Sequence, residues 1–226
     1  ATYDNLGRYF RADVGFIPRV DTRTTALGLR RITWGKANSW YRKLLFTAEG
    51  TYTDDHDGVL TDRTLAFLGE INGPLQSVFQ IGLVGSKELF NETSYDLKFI
   101  NLNSSIRPTG ALALLFSGKF GDAVDYAGSR PAEIVNLCPG IAYFLGQHLQ
   151  LQLNHSSERL TIDSGQLYVA NLTQVKLVYQ FNVRTFTRAI FQYLDLDRNL
   201  QLYPSSPDPI SRKLFTQLLF SYKINR

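Results

Sequence analysis

Residues 165–195 read GQLYVANLTQVKLVYQFNVRTFTRAIFQYLD, and this stretch decides the fold. Apolar and polar side chains alternate along both of its halves. In the first half, one face carries Val175, Leu177, Tyr179 and Phe181, and the other carries Gln174, Lys176 and Gln180. Successive side chains of a strand point to opposite sides of a sheet, so this period of two predicts strands. The join at 182–184 is too short for anything but an antiparallel hairpin.

A long polar stretch follows the hairpin, from Leu196 to Arg212. Long alternating strands with a tight turn at one end and a long loop at the other are typical of a transmembrane β-barrel. The cleanest alternation lies at 148–154, where three leucines share one face and Gln150, Gln152 and Asn154 share the other. A row of amides suits a wet lumen better than a dry core.

We therefore predict an all-β fold of about ten to twelve antiparallel up-and-down strands, forming a transmembrane β-barrel or a large part of one. The predicted strands are 9–17, 22–34, 43–52, 61–71, 75–84, 95–102, 106–119, 134–145, 148–154, 165–181, 185–195 and 214–224. Residues 86–93 and 121–133 are predicted loops, and Pro139-Gly140 predicts a bulge or bend.

Composition narrows the class of protein. No apolar run approaches the roughly 18 residues that span a bilayer as a helix, and a closed barrel is the other way to satisfy the backbone in lipid. The formal charge of +4 is mild, and the basic residues are dispersed, which argues against a nucleic-acid partner. The chain has no methionine and no signal-like start. We expect one β-barrel domain over residues 1–226, the C-terminal portion of a longer protein.

Five stretches in order resemble one family. They are FRADVGFIPRVD (10–21), SIRPTGALAL (105–114), GDAVDYAGSR (121–130), VYQFNVRTFTRAIFQY (178–193) and TQLLFSYKINR (216–226). Together they resemble the DUF5916 family of bacterial envelope proteins, in which an N-terminal carbohydrate-binding family 9-like domain precedes a C-terminal outer-membrane β-barrel. The resemblance implies a barrel portion in a Gram-negative outer membrane and supplies no catalytic residues. The chain lacks the terminal aromatic that usually closes such barrels.

Candidate sites for chemistry are few. Asp54, Asp55 and Asp57 form an acidic turn that is a weak candidate for a hard cation, but the distal glutamate of a calcium loop is missing. A solvated turn is the alternative for this segment. His155 and Ser156 are neighbours in a strand and so point apart. We predict no catalytic residue and no cofactor, and we interpret Cys138 as an inert, small apolar residue.

Basic and amide side chains on the polar rows are candidates for lining a lumen. They are Arg11, Lys176, Arg188, Lys223, Gln150 and Gln152. Unpaired cations there would favour anionic solutes. Alternatively, the basic residues of these rows pair across strands with Asp13, Glu49 or Glu70.

The pattern supports three hypotheses. The first is a porin-like channel or uptake pore for small polar or sugar-derived solutes, in contact with membrane lipid and lipopolysaccharide. The second is a non-conducting barrel that anchors a sugar-binding domain or an envelope protein partner. The third is a soluble β-sandwich or lipocalin-like binder, in which the apolar rows would face inward. An enzyme is not expected.

Overall fold

The computed structural model describes residues 1–11, 19–204 and 208–224 of the chain. Within them lie twelve strands and one short 3-10 turn, Leu200–Leu202. The strands are β1 (Thr2–Leu6), β2 (Thr22–Trp34), β3 (Lys43–Asp54), β4 (Leu60–Asn72), β5 (Val78–Phe90), β6 (Thr93–Ile106), β7 (Leu112–Asp125), β8 (Arg130–Leu145), β9 (Leu149–Ile162), β10 (Gly165–Asn182), β11 (Thr185–Arg198) and β12 (Ile210–Tyr222). Among the described residues, no helix is long and apolar enough to cross a bilayer.

The strands form one antiparallel sheet in simple chain order, from β1 to β12. This confirms the predicted up-and-down β-barrel architecture. The hairpin of β10 and β11 is the predicted antiparallel one, and its register places Val175 opposite Phe191 and Leu177 opposite Ala189. Its bend is even tighter than expected, because only Val183 and Arg184 lie between the strands. In the described part of the chain, β1 and β12 are the edges of the sheet.

The two faces of the sheet have opposite chemistry. On one face, large apolar side chains are exposed, such as Phe46 at 56% and Ile141 at 45%. Their immediate neighbours on the other face are covered, with Leu45 at 4% and Ala142 at 7%. A single layer of sheet covers one face in this way by curving around it, so the covered face is the inner one. The exposed apolar face is then the outer, lipid-compatible one.

The register carries both faces across the strands without a break. One outer row runs Leu29–Ala48–Phe67–Leu83–Ile100 from β2 to β6. Another runs Tyr143–Leu151–Leu177–Ala189–Leu218 from β8 to β12. A slip of one residue in any strand would turn its apolar set inward, so burial of one face specifies the register.

The connections divide the sheet into two ends. One end, here called the long-loop end, holds the two longest connections, residues 7–21 between β1 and β2 and residues 199–209 between β11 and β12. The same end also holds four shorter turns, 55–59, 91–92, 126–129 and 163–164. At the other, short-turn end, the connections are 35–42, 73–77, 107–111, 146–148 and 183–184. On the outer face, the strands become charged as they approach the long-loop end.

Several predicted boundaries were wrong. Residues 86–90 continue β5, and residues 121–125 and 130–133 belong to β7 and β8, so the two predicted loops are mostly strand. Residues 106–111 are mainly a turn. These strands extend past the apolar band into charged sequence, where alternation in hydropathy fades although backbone pairing continues. β1 was not foreseen, and the predicted strand 9–17 lies largely outside the described residues.

The predicted bulge at Pro139 is also absent from this described segment. The pairs Leu137–Ser157 and Gly140–Asn154 keep one register, and only the two residues between them lack ladder partners on β9. Proline has no backbone N–H to donate, so the ladder is interrupted without an inserted residue. On the other side, Pro139 pairs in register with Phe116 of β7.

Candidate functional site on the inner face

A polar recess of about 530 Å³ lies against β5–β10 on the inner face. Much of its lining is apolar and includes Val78, Leu115, Pro139 and Leu172. The polar part consists of amides, hydroxyls and one thiol, namely Gln80, Asn103, Ser105, Ser117, Cys138, Gln152, Asn154, Ser156 and Gln174. None of these side chains carries a formal charge at neutral pH. A wall of neutral groups that both donate and accept hydrogen bonds is suited to hydroxyl-rich solutes.

Cys138 lies inside this recess, half-buried on β8. Its thiol donates to the side-chain oxygen of Asn136 at 3.0 Å and contacts the Ser156 hydroxyl at 3.2 Å. The prediction of a small apolar residue therefore needs correction, because Cys138 is part of a polar wall. Gln150 and Gln152 lie on the same inner face of β9, as the alternation predicted, and Gln152 lines the recess.

Beside the recess, towards β2, the inner face is charged. Glu70 of β4 is clasped by three donors: Lys43 Nζ at 2.6 Å, Asn72 Nδ2 at 2.6 Å and Gln80 Nε2 at 2.8 Å. Arg30 and Glu49 line the same small cavity of about 300 Å³. Glu70 is thus paired across strands, but with Lys43, which was not among the basic residues expected to pair with it.

Other inner-face cations have no acidic partner among the described residues. Lys176 lies opposite Gln152 and Ile190, and Arg188 lies opposite Val178 and Leu219. The Nε of Arg188 is buried without a hydrogen-bond partner in the described structure. Lys119 lies over the ring of Phe99, 4.3 Å from its centroid. The same wall of β6–β11 also carries the carboxylate of Glu158, which accepts hydrogen bonds from Asn136 and Tyr168, so the three cations leave it with a net positive bias.

The β11–β12 loop folds onto the inner wall at the long-loop end. Leu202 and Tyr203 pack against a cluster formed by Ala132, Leu160, Ile162 and Leu167, and Leu167 is only 1% exposed. Arg130 holds the loop, since its guanidinium donates to the Leu202 carbonyl and pairs with Asp125 at 2.8 Å. The Asn199 N–H donates to the Leu167 carbonyl at 3.0 Å. This loop covers part of the inner wall near its mouth.

Of the remaining predicted residues, Arg11 and Lys223 lie away from the wall, whereas His155 and Ser156 both border the recess from opposite faces of β9. Arg11 is exposed in the β1–β2 connection, and Lys223 is exposed beyond the end of β12, so neither lies in a strand. His155 is on the outer face of β9, where its Nδ1 is 2.9 Å from the Thr173 hydroxyl, whereas Ser156 faces inward. The structure thus does not bring His155 and Ser156 together.

The acidic turn is occupied by internal contacts. Asp54 pairs with Arg23 at 2.6 Å, Asp57 pairs with Arg8 at 2.5 Å, and Asp55 accepts the N–H groups of residues 57 and 59. In the part of the chain that the structure describes, no group of three or more His, Cys, Asp or Glu side chains is arranged to hold a metal ion. The turn contacts Arg8 and Asp21, which belong to the two described ends of the β1–β2 connection.

Asp21 is central to these contacts. Its carboxylate lies 2.6 Å from His56 Nδ1 and 3.1 Å from Arg8. Desolvation raises the pKa of Asp21, but the hydrogen bonds from His56 and Arg8 and the charge of Arg8 outweigh it and hold the pKa below its ordinary value. The ionised carboxylate is therefore favoured at this end of the sheet.

Sequence reasoning named Glu70 as a possible partner for inner-face cations but did not find Lys43, Arg130 or the inward loop. Arg130 and Leu202 are 72 residues apart in the chain, and no local pattern connects them. Lys43 and Glu70 lie at the ends of predicted strands, and their contact depends on how those strands pair.

Comparison with known proteins supports the fold. No protein-family model matches the sequence, and no curated protein matches it. The structure is similar to that of in-vitro folded OmpT, an outer-membrane protein of Vibrio cholerae, with a TM-score of 0.53, 8% identity, and coverage of 89% of this chain and 77% of that one. It also resembles a rhombohedral crystal structure of the NanC porin, with a TM-score of 0.44, 12% identity, and coverage of 90% and 94%. At 8% identity, the likeness to the OmpT structure shows the β-barrel fold alone.

Proposed function

We propose that this chain is the wall of an outer-membrane channel or uptake pore for small polar or sugar-derived solutes. The neutral, amide-rich recess on the inner face carries the proposal. Such groups replace water around hydroxyls at little cost, because each lost hydrogen bond to solvent is exchanged for one to the wall. The outer apolar rows supply the lipid-facing surface that a membrane location requires.

The chain's location and orientation belong to the same proposal. The barrel fold and the likeness to an outer-membrane protein support the outer membrane of a Gram-negative bacterium. Barrels of that membrane have short periplasmic turns and longer external loops. We accordingly assign the long-loop end to the outside. Membership of the DUF5916 family, with a sugar-binding-like domain before the barrel, is proposed on the five quoted motifs.

The unpaired cations refine the solute class. Lys176 and Arg188 face inward without carboxylate partners among the described residues. Positive charge on a pore wall raises the local concentration of anions and lowers that of cations. Polar solutes with a carboxylate or phosphate group are therefore favoured over cationic ones.

The test is single-channel recording from the full-length protein in planar bilayers, using Cys138 as a built-in reporter. We expect stepwise conductance that falls when a bulky, membrane-impermeant thiol reagent modifies Cys138. The Cys138→Ser variant should conduct and be insensitive to the reagent. Absence of conductance from membrane-inserted protein would overturn the channel proposal.

The second candidate is a non-conducting barrel that anchors a sugar-binding domain or an envelope partner. The inward fold of the β11–β12 loop favours it, because Leu202 and Tyr203 cover the wall at the mouth. Inserted protein that shows no conductance and co-purifies with a specific envelope protein would support this candidate.

A further inference from the structure

A groove of about 620 Å³ crosses the outer face of β2–β6 near the long-loop end. Two adjacent rows of side chains form it. The register aligns Leu27, Gly50, Leu65, Gly85 and Lys98 in one row. The next row towards the long-loop end aligns Thr25, Tyr52, Arg63, Lys87 and Asp96.

The floor of the groove comes from glycine. Gly50 and Gly85 alternate with larger residues in the first row, so Leu65 stands between two gaps. A Cβ atom added at Gly85 would meet nothing within 4 Å, and one added at Gly50 would meet only the Thr64 carbonyl oxygen at 3.9 Å. The gaps are thus open space on the outer surface, wide enough for hydrocarbon chains to lie against the sheet.

The groove is apolar on one side and cationic on the other. Below it lies the fully apolar row that contains Leu29, Phe67 and Leu83. Above it, the three cations Arg63, Lys87 and Lys98 are opposed by two carboxylates. Asp96 lies 3.7 Å from Lys87, and Asp122 accepts the backbone N–H of Lys98 at 2.8 Å. Neither Arg63 nor Lys98 has an ion pair among the described residues. Neighbouring strands lie about 4.8 Å apart, so the cations on β4, β5 and β6 lie close enough together to contact a single lipid headgroup.

We propose that this groove binds the phosphorylated, acylated sugar headgroup lipid of the outer leaflet, lipid A. Acyl chains fill the gaps at Gly50 and Gly85, and a headgroup phosphate lies between Arg63 and Lys98. Charge complementarity selects this occupant, because guanidinium and ammonium groups bind phosphate by charge-assisted hydrogen bonds. The inference rests on the proposed membrane location and on the outward assignment of the long-loop end.

The experiment uses full-length protein extracted from native membranes and analysed by native mass spectrometry for retained lipid A. Wild type should retain it, and R63Q/K98Q should retain about a hundredfold less, since the variant removes two charge-assisted contacts that are each worth about tenfold. G85L should also lose lipid by filling the gap without a clash. R159Q is the matched control, because Arg159 is an exposed outer-face cation on β9, outside the groove.

Transfer of the protein into nanodiscs of defined lipid composition tests which phosphate-bearing lipid the groove prefers. Lipid A should be retained in preference to its dephosphorylated form and to phosphatidylglycerol. Equal retention of the three lipids, or equal retention by wild type, R63Q/K98Q and R159Q, would overturn the inference while leaving the channel proposal intact. Failure of the full chain to insert into membranes would instead overturn both, so the two failures are distinguishable.

Discussion

Glu70 shows how a charge is kept on the inner wall. Its side chain is mostly buried, and Lys43, Asn72 and Gln80 all donate to its two oxygens. Burial makes an unpaired charge expensive, so the pair is required once either member is present. Removing only one of the two charges is therefore expected to lower the free energy of unfolding more than removing both.

We expect E70Q to lower the free energy of unfolding by about 1–3 kcal/mol, because it leaves Lys43 without its charged acceptor. K43Q should cost a similar amount, and K43Q/E70Q should cost less than the two single changes added together. Denaturant unfolding of the full chain in lipid measures all three. E133Q, on the exposed outer face of β8, is the control. Additive single costs would show that the two groups act independently.

Lys176 and Arg188 are the residues that set charge preference in the proposed pore. Replacing both by glutamine keeps polar side chains in place but removes two positive charges from the wall. We expect the reversal potential in a salt gradient to shift towards cation selectivity. R159Q should leave it unchanged. An unaltered reversal potential in K176Q/R188Q would mean that ions do not pass this part of the wall.

Among the elements that the structure describes, the β11–β12 loop covers part of the inner face, where Leu202 and Tyr203 pack. It is held by Arg130, whose partner Asp125 is only 4% exposed. A change at Arg130 alone would leave that carboxylate buried and unpaired, which is destabilising in itself. A test of the loop must therefore neutralise both residues.

We expect D125N/R130Q to release residues 199–204 from the wall and to increase single-channel conductance. Wild type and D125N, which retains the Arg130 donor to the Leu202 carbonyl, provide the comparison. Bilayer recordings should show larger unitary steps in the double variant. Identical conductance in all three proteins would show that the loop does not obstruct the path of ions.

For the molecule as a whole, the central question is which face meets water. We expect cysteines at positions 150 and 152 of the full-length protein, in a C138S background, to react with an aqueous thiol reagent in native membranes. Cysteines at 151 and 153 should react only with a lipid-soluble reagent. The reason is that Gln150 and Gln152 face the inner wall while Leu151 and Leu153 are exposed on the apolar face.

A different labelling pattern would contradict the barrel in lipid. If the positions of Leu151 and Leu153 resist both reagents while those of Gln150 and Gln152 react freely, the leucines are covered by protein. The chain would then be a soluble β domain, and the groove on β2–β6 would face water instead of acyl chains.

Local chemistry was sufficient for much of the architecture. The alternation in 148–154 and 165–195 predicted strands, their facing and the central hairpin, because a strand places successive side chains on opposite sides. The polar rows also placed Gln150, Gln152, Lys176 and Arg188 on one wall. Strand assignment and the face of each side chain depend only on the alternation of neighbouring residues, so a short stretch of sequence is enough to predict them.

Contacts between residues far apart in the sequence could not be predicted from this local alternation. The pairing of Lys43 with Glu70 depends on register across a hairpin, and the contact of Arg130 with Leu202 joins segments 72 residues apart. Charged strand ends at 86–90 and 121–125 carry no hydropathy period, so only backbone pairing shows that they are strand. The polar recess, the folded loop and the outer groove arise where several strands meet, and their geometry exists only once the sheet has curved.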